Sequence, residues 1–195
     1  YMKKFNNMCK DCSQLQSENY FNESSDKDFR YSTFSKTHDI SILKTELKNI
    51  PAFKRYEILM QIATELKANR DQLAKVLCME SAKPIRYALG EIDRAAQTFV
   101  VAAEECKRLP KEYVSLDWTP AGEGKEGLVK YFPVGLIAGI APFNFPLNLA
   151  VHKIAPAIAA GCPIILKPAS STPLSTLELA KIIDKTILPK GAVSI

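Results

Sequence analysis

The chain of 195 residues is 47% hydrophobic and 24% charged, which is typical of a globular protein long enough for one domain. Its longest apolar run, residues 134–143, is far shorter than the ~20 residues of a membrane-spanning helix, so we expect no membrane association. The net charge of +5 results from 26 basic and 21 acidic residues spread along the chain. A nucleic-acid-binding protein would show a basic stripe or a stacking motif, so we expect no nucleic-acid partner. A basic nucleic-acid binder remains an alternative hypothesis that rests on the net charge alone.

The cysteines favour a reduced, cytoplasmic protein, since there are five of them and no secretory context. Cys9 and Cys12 have the spacing of half a zinc site, but no second pair lies nearby and the histidines, His38 and His152, are distant in sequence. We therefore expect no metal. Cys162 has no adjacent base and is expected to pack as a small apolar side chain.

The first part of the chain changes character near residue 38. Residues 1–37 are rich in Asn, Ser, Asp, Lys and Glu and poor in aliphatic side chains, so we expect them to be disordered or loosely attached. In residues 38–109 apolar side chains recur at spacings of three and four, which predicts helices. The pattern places a short helix after Asp39 and longer ones over residues 53–66, 71–80 and 85–109.

These helices are interpreted as scaffold. Among their charged side chains, Arg94 could meet an acidic substrate. An ion pair with Glu91 or Asp93 on the helix face is the favoured interpretation, because such pairs are common on exposed helix surfaces.

Residues 110–132 are predicted to form a β-hairpin. Two extended stretches, residues 112–118 and 127–132, are separated by the turn-rich sequence TPAGEGKE.

Residues 133–195 have the order strand, helix, strand, helix. Residues 134–140 are an almost unbroken apolar run, typical of a parallel strand buried on both faces. A helix over residues 146–160 follows and is closed by Gly161, and residues 163–166 form a second apolar run.

The last predicted helix begins at Pro173 and ends near residue 185, with the Ser170-Ser171-Thr172 cluster as its expected cap. In such a unit, ligands bind beyond the carboxyl ends of the strands. Asn144 and Lys167 lie at those ends and are therefore candidate site residues.

The sequence PFNFPLNLAVHKIAPAIAAG, followed by LKPASSTPLS, resembles the aldehyde dehydrogenase superfamily. The upstream segments IPAFKRYEILMQIA, ESAKPIRYALGEIDRA and PVGLIAGI resemble that family in the same order, so the resemblance covers residues 50–195. It implies an α/β fold, in which the N-terminal part of a Rossmann-type parallel sheet is preceded by helices and a β-hairpin arm. In the family this arm crosses to a neighbouring subunit, which implies a homodimer or tetramer for the full-length form.

The resemblance implies NAD(P)-dependent oxidation of a small aldehyde to a carboxylate through a cysteine thioester. It is closest to the branch that acts on lactaldehyde, glyceraldehyde 3-phosphate or succinate semialdehyde. The family's general-base Glu and nucleophilic Cys belong to downstream segments that this sequence does not contain. We therefore expect an N-terminal portion without the catalytic domain and inactive alone. The alternative is a non-catalytic remnant that keeps a partial dinucleotide site or an oligomer contact.

The resemblance also implies roles for individual residues. Asn144 matches the amide that stabilises the oxyanion, whereas the alternative is a turn asparagine bonded to its own backbone. Lys153 matches a lysine near the active site with a plausible proton-relay role, and it ranks below Asn144. Lys167 matches the lysine that holds the adenosine ribose hydroxyls. The other residues that match cofactor contacts are Pro142, Phe143, Pro168, Ala169 and Ser170.

Ser170 bears on the choice between NAD and NADP. Family members often have Glu at this position, whose charge repels the 2′-phosphate of NADP. Because a serine hydroxyl is uncharged, we expect NADP to be accepted and preferred.

Overall fold

The computed structural model describes residues 47–195. The expectations for residues 1–37, for the start of a helix at Asp39, and for Cys9 and Cys12 lie outside the described residues. Within residues 47–195, no helix is long and apolar enough to cross a membrane. The same residues contain no group of three His, Cys, Asp or Glu side chains that could hold a metal ion.

Three helices form one layer: α1 (Ala52–Ala68), α2 (Arg70–Ser81) and α3 (Ile85–Cys106). Their existence was predicted, but α3 ends before the predicted residue 109. The proline at position 110 favours an extended backbone at the residue before it, and this opposes a further helical turn. Phe53 was placed within the buried stretch of α1 and is 56% exposed, since it lies on a different side of the helix from Ile58.

Small side chains let α3 approach its neighbours closely. Its buried face packs against α1, α2 and the later helix Pro146–Ala160, and it consists mainly of alanines around two larger side chains, Ile92 and Phe99. The long helix is therefore the centre of the helical layer, and side chains along it reach the elements that follow in sequence.

The predicted hairpin is present. Strands β1 (Lys111–Ser115) and β2 (Glu126–Lys130) pair antiparallel, with Lys111 opposite Lys130, and the turn contains a short 3₁₀ helix (Pro120–Gly122). Tyr113, Trp118 and Tyr131 on and beside these strands are exposed.

A parallel sheet follows, with strand order β3 (Ile137–Ile140), β4 (Ile164–Lys167) and β5 (Val193–Ser194). Helix α4 (Pro146–Ala160) connects β3 to β4, and α5 (Leu174–Asp184) connects β4 to β5. Gly161 has φ of 78° and ends α4, as predicted. The arrangement confirms the α/β class.

The first strand differs from its prediction in length and in burial. The predicted run began at residue 134, but Val134 is 86% exposed and Gly135, at φ 105°, departs from extended geometry before β3 begins. Leu166 and Ile164 face the helices, whereas Ile140 is 71% exposed on the opposite face. Ala138 and Ile165 on that face are exposed as well, so the prediction of burial on both faces was wrong for the described chain.

Candidate functional site

The two turns that follow β3 and β4 lie side by side. The first, residues 141–145, leads from β3 into α4, and the second begins at Lys167, the last residue of β4. The backbone N–H of Ala141 donates to the carbonyl of Lys167 over 3.0 Å, which joins the ends of the two strands. Parallel pairing thus brings Asn144 and Lys167 to the same edge of the sheet.

Asn144 is held through its backbone. Its carbonyl accepts a 3.0 Å hydrogen bond from Nζ of Lys83, while its side chain is exposed. Within residues 47–195 the side-chain amide makes no bond to its own turn, so the alternative of a self-bonded turn asparagine is not observed. The amide is available to donate to a ligand.

The start of α4 is capped by a residue from α3. One carboxylate oxygen of Glu91, Oε1, accepts hydrogen bonds of 3.1 Å from the backbone N–H groups of both Leu147 and Asn148. The other, Oε2, accepts from Nζ of Lys83. The first N–H groups of a helix have no partner within the helix, and Phe145, at the cap position, supplies no side-chain bond. Glu91 is a long-range cap with a fully buried carboxylate.

Two cations lie near the ring of Phe145. Nζ of Lys83 is 4.3 Å from the ring centroid, and the guanidinium carbon of Arg94 is 5.4 Å from it. Both distances fall within the range of cation–π attraction. The predicted ion pair of Arg94 was wrong, because Glu91 pairs with Lys83 and Asp93 pairs with Arg70.

The second turn places an ammonium beside a hydroxyl. Nζ of Lys167 donates to Oγ of Ser170 and to the carbonyl of Pro168, each over 3.3 Å. Lys167 and Ser170 are exposed, and Ala169 and Pro168 between them are half-buried. The turn therefore presents one positive charge and one hydroxyl to the solvent at the end of β4.

Helix α5 is capped by Glu80 of α2, so the predicted cap of the Ser170–Thr172 cluster was wrong. The carboxylate of Glu80 accepts from the N–H of Leu174 over 2.6 Å, and from the N–H of Ser175 over 3.2 Å. It also accepts from the hydroxyl of Ser175. Of the local hydroxyls, that of Ser170 accepts from Lys167, and that of Thr172 is buried without a hydrogen-bond partner among the described residues. Burial raises the pKa of the Glu80 carboxyl, although its bonds from Ser175 and Leu174 oppose the rise.

Lys153 lies on α4 beneath β3. Its ammonium donates to the carbonyl of Leu149 over 3.3 Å, and its side chain passes beside Gly139. Its role in a proton relay stays a prediction.

The described cysteines do not provide a nucleophile. Cys78, Cys106 and Cys162 are buried free thiols. Burial raises the pKa of the Cys78 and Cys106 thiols, which keeps them protonated. The expected packing role of Cys162 agrees with its burial.

A dinucleotide fits the second turn better than it fits the helix ends. Helix N-termini commonly bind phosphates, but here Glu91 and Glu80 supply carboxylates to the starts of α4 and α5. Lys167 and Ser170 instead offer donors for ribose hydroxyls or a phosphate, and no carboxylate within residues 47–195 is bonded to Lys167.

Comparison with known proteins identifies the family. Residues 41–195 match the sequence profile described as Aldehyde dehydrogenase family. The chain belongs to the aldehyde dehydrogenase family.

Two aldehyde dehydrogenases illustrate the similarity in sequence. The 3-sulfolactaldehyde dehydrogenase of Priestia aryabhattai is 40% identical over 157 residues, which are 80% of this chain and 33% of that protein. The lactaldehyde dehydrogenase of Methanocaldococcus jannaschii is 44% identical over 144 residues, or 74% of this chain and 30% of that protein. The chain spans about a third of the length of these relatives.

Solved aldehyde dehydrogenase structures agree in fold. Aldehyde dehydrogenase 21 from Physcomitrella patens, in complex with the reaction product succinate, superposes with a TM-score of 0.77 at 46% identity, over 79% of this chain and 32% of that one. The glyceraldehyde-3-phosphate dehydrogenase GapN of Methanocaldococcus jannaschii, complexed with NADP, superposes with a TM-score of 0.73 at 36% identity. The match covers 87% of this chain and 35% of that one.

Three residues of this aldehyde dehydrogenase chain that contact the site were not among the candidate site residues predicted from sequence: Glu80, Lys83 and Glu91. One signal was present for Glu91, which falls within the apolar stripe of α3 between Ala88 and Ile92. A charged residue on a buried helix face requires a partner, and that partner is brought near only by the fold.

Proposed function

We propose that this chain forms the part of an NAD(P)-dependent aldehyde dehydrogenase that carries the oxyanion donor and the adenosine end of the cofactor site. The observation that carries the proposal is the position of Asn144. Its side-chain amide is exposed at the carboxyl end of β3, its backbone is fixed by Lys83, and the turn of Lys167 lies beside it.

In this proposal Asn144 donates to the carbonyl oxygen of the aldehyde as negative charge develops there. An amide donor has no proton to lose, and a backbone that is already fixed reduces the reorganisation that the donor needs. The nicotinamide cofactor, when bound, supplies the oxidising power of the reaction. Lys153 is a second and lower-ranked candidate for the active site, as a proton carrier.

The second turn is proposed to hold the adenosine ribose. Lys167 would bond the ribose hydroxyls or a 2′-phosphate, and Ser170 would leave room for that phosphate without repelling it. Pro142 and Phe143 on one side, with Pro168 and Ala169 on the other, would form the adjoining wall. NADP in the related GapN structure supports the preference for NADP over NAD.

The substrate is proposed to be a small aldehyde. The relatives include a 3-sulfolactaldehyde and a lactaldehyde dehydrogenase, and the Physcomitrella structure contains succinate. The exposed aromatics of the hairpin, among them Trp118, are proposed to contact a second subunit in a homodimer or tetramer, and the protein is proposed to be cytoplasmic.

A chimaeric enzyme tests the proposal. The 195 residues of this chain are joined to the remaining two thirds of the Priestia 3-sulfolactaldehyde dehydrogenase. We call this chimaera the completed enzyme. We expect it to reduce NADP with small aldehydes, as followed by absorbance of the reduced cofactor. A completed enzyme that melts cooperatively like its parent, but neither binds NADP nor turns over, would favour the non-catalytic remnant.

A further inference from the structure

Two charged residues of the helical layer converge on the turn that carries Asn144. Lys83 lies in the connection between α2 and α3, and Glu91 lies one to two turns into α3. Together they contact the backbone of Asn144, Leu147 and Asn148. Residues 144–148 are therefore held at both ends, and at the ring of Phe145, by the single ion pair of Lys83 and Glu91.

The ion pair has little freedom to move. The side chain of Glu91 is fully buried and that of Lys83 is 14% exposed. A buried carboxylate remains charged only when its oxygens are bonded, and each oxygen of Glu91 has a bonding partner. Its position is thus fixed by α4 on one side and by Lys83 on the other.

The same lysine fixes the peptide plane at Asn144. Nζ of Lys83 donates to Glu91 and to the carbonyl of Asn144, and it lies 4.3 Å from the ring centroid of Phe145. None of these contacts uses the side-chain amide of Asn144, which stays exposed. The contacts therefore constrain the backbone from which the amide projects, and they leave the hydrogen-bonding groups of the amide free for a ligand.

We infer that Lys83 and Glu91 are positioning residues that hold the Asn144 amide in place for the reaction, an inference that rests on the proposed function. Neither side chain touches the substrate. Their effect is transmitted through the backbone of residues 144–148. Because a displacement of about 1 Å can cost on the order of 10²-fold in rate, loss of the pair acts on kcat rather than on cofactor binding.

Single substitutions give the first test. In the completed enzyme, Lys83→Met and Glu91→Gln are expected to lower kcat by about 10-fold or more, with KM for NADP changed by less than about twofold. Asp93→Asn is the matched control. Asp93 lies on the same helix, but its carboxylate pairs with Arg70 and makes no contact with the turn of Asn144. Its removal is therefore expected to leave kcat unchanged.

The double variant separates position from stability. Each single change leaves one charge of a buried pair without its partner, which destabilises the fold by itself. Lys83→Met with Glu91→Gln removes both charges, so the melting temperature is expected to return toward that of the unmodified enzyme. The hydrogen bond to the Asn144 carbonyl stays lost, and kcat is expected to stay low. Recovery of kcat together with the melting temperature would overturn the inference.

A double-mutant cycle identifies the residue through which the pair acts. If Lys83 works through Asn144, then Lys83→Met added to Asn144→Ala lowers kcat by less than about twofold further. An additional loss as large as that in the unmodified enzyme would contradict the inference. The two proposals also fail differently. An Asn144→Ala enzyme of undiminished kcat overturns the proposed function, whereas a strong Asn144 effect with silent Lys83 and Glu91 changes overturns only the positioning role.

Hydrogen exchange tests the geometry in the 195-residue chain itself. Glu91→Gln is expected to accelerate exchange at the amides of Leu147 and Asn148, while the amides of Leu174 and Ser175, which Glu80 caps, exchange as before. Unchanged exchange at the first pair, or equal acceleration at both pairs, would show that Glu91 does not fix this turn.

Discussion

The ammonium of Lys83 donates a 3.0 Å hydrogen bond to the backbone carbonyl of Asn144, which lies 61 positions further along the chain. The connection between α2 and α3 thereby holds the turn after the first strand of the sheet. The carboxylate of Glu80 accepts hydrogen bonds from the first backbone N–H groups of the helix that follows the second strand. Both turns of the candidate site are therefore supported by side chains from the end of α2 and from the connection that leads into α3.

The first prediction concerns Asn144. Asn144→Ala in the completed enzyme removes one oxyanion donor and is expected to lower kcat by roughly 10²–10³, with KM for NADP little changed. Steady-state kinetics over aldehyde and NADP concentration separate the two parameters. A loss below about threefold would show that Asn144 is only a turn residue.

The second prediction concerns cofactor choice. Ser170→Glu places a carboxylate where the 2′-phosphate of NADP is proposed to bind. The carboxylate and the phosphate repel each other, and two like charges ~4 Å apart interact by about 4 kcal/mol at an effective dielectric near 20. The kcat/KM for NADP is expected to fall more than about tenfold while that for NAD holds or rises. Ser170→Gln, of similar size but uncharged, is the control. An unchanged ratio of the two cofactors in the Glu variant would refute the role of Ser170.

The third prediction concerns Glu80 and pH. Because burial raises the pKa of its carboxyl, the folded state binds this proton more tightly than the unfolded state does. The contribution of Glu80 to stability is therefore full below the unfolded pKa and is lost as pH rises through the raised one. We expect the free energy of unfolding of the chain, relative to Glu80→Gln, to fall as pH increases above about 4.

Asp93→Asn is the control of opposite sign for that experiment. The hydrogen bond from Arg70 lowers the pKa of the Asp93 carboxyl, so the stability that Asp93 contributes is present above its unfolded pKa and is lost as pH falls. Urea unfolding at a series of pH values gives both differences. Parallel pH dependence in the two variants would contradict the assignment for Glu80.

The fourth prediction compares two glycines. A Cβ at Gly139 of β3 would lie 2.9 Å from Cδ1 of Leu166 and 3.4 Å from Cδ of Lys153, so Gly139→Ala is expected to destabilise by about 1–3 kcal/mol. At Gly90, in α3, nothing lies within 4 Å of an added Cβ. Gly90→Ala is expected to stabilise by about 0.5–1 kcal/mol. Unfolding free energies that move in the same direction would contradict this account.

The fifth prediction is that the 195-residue chain alone does not oxidise aldehydes. The cysteines within residues 47–195, Cys78, Cys106 and Cys162, are buried, and covalent catalysis requires an accessible thiolate held beside a base. Cys9 and Cys12 lie outside the described residues, and no histidine that could act as such a base lies near them in the sequence. Formation of reduced cofactor above a blank without protein, tested with lactaldehyde, glyceraldehyde 3-phosphate and succinate semialdehyde, would refute it.

Local pattern was sufficient to predict most elements of the described fold. Residues that repeat at three and four predicted α1 and α2, and Gly161 marked the end of α4, because these features depend on neighbours in the chain. Asn144 and Lys167 were predicted to lie beyond the carboxyl ends of two parallel strands, and the pairing of β3 with β4 brings both turns to one edge of the sheet.

The capping of the helices depended on the tertiary structure. Sequence assigned the start of α5 to the hydroxyls of residues 170–172, which are nearest in the chain, and the fold assigned it to Glu80. In the structure Glu91 likewise pairs with Lys83 and not with Arg94, which the sequence had suggested. A buried carboxylate takes whichever donors the packing of distant elements brings within reach, and residue spacing along one helix does not contain that information.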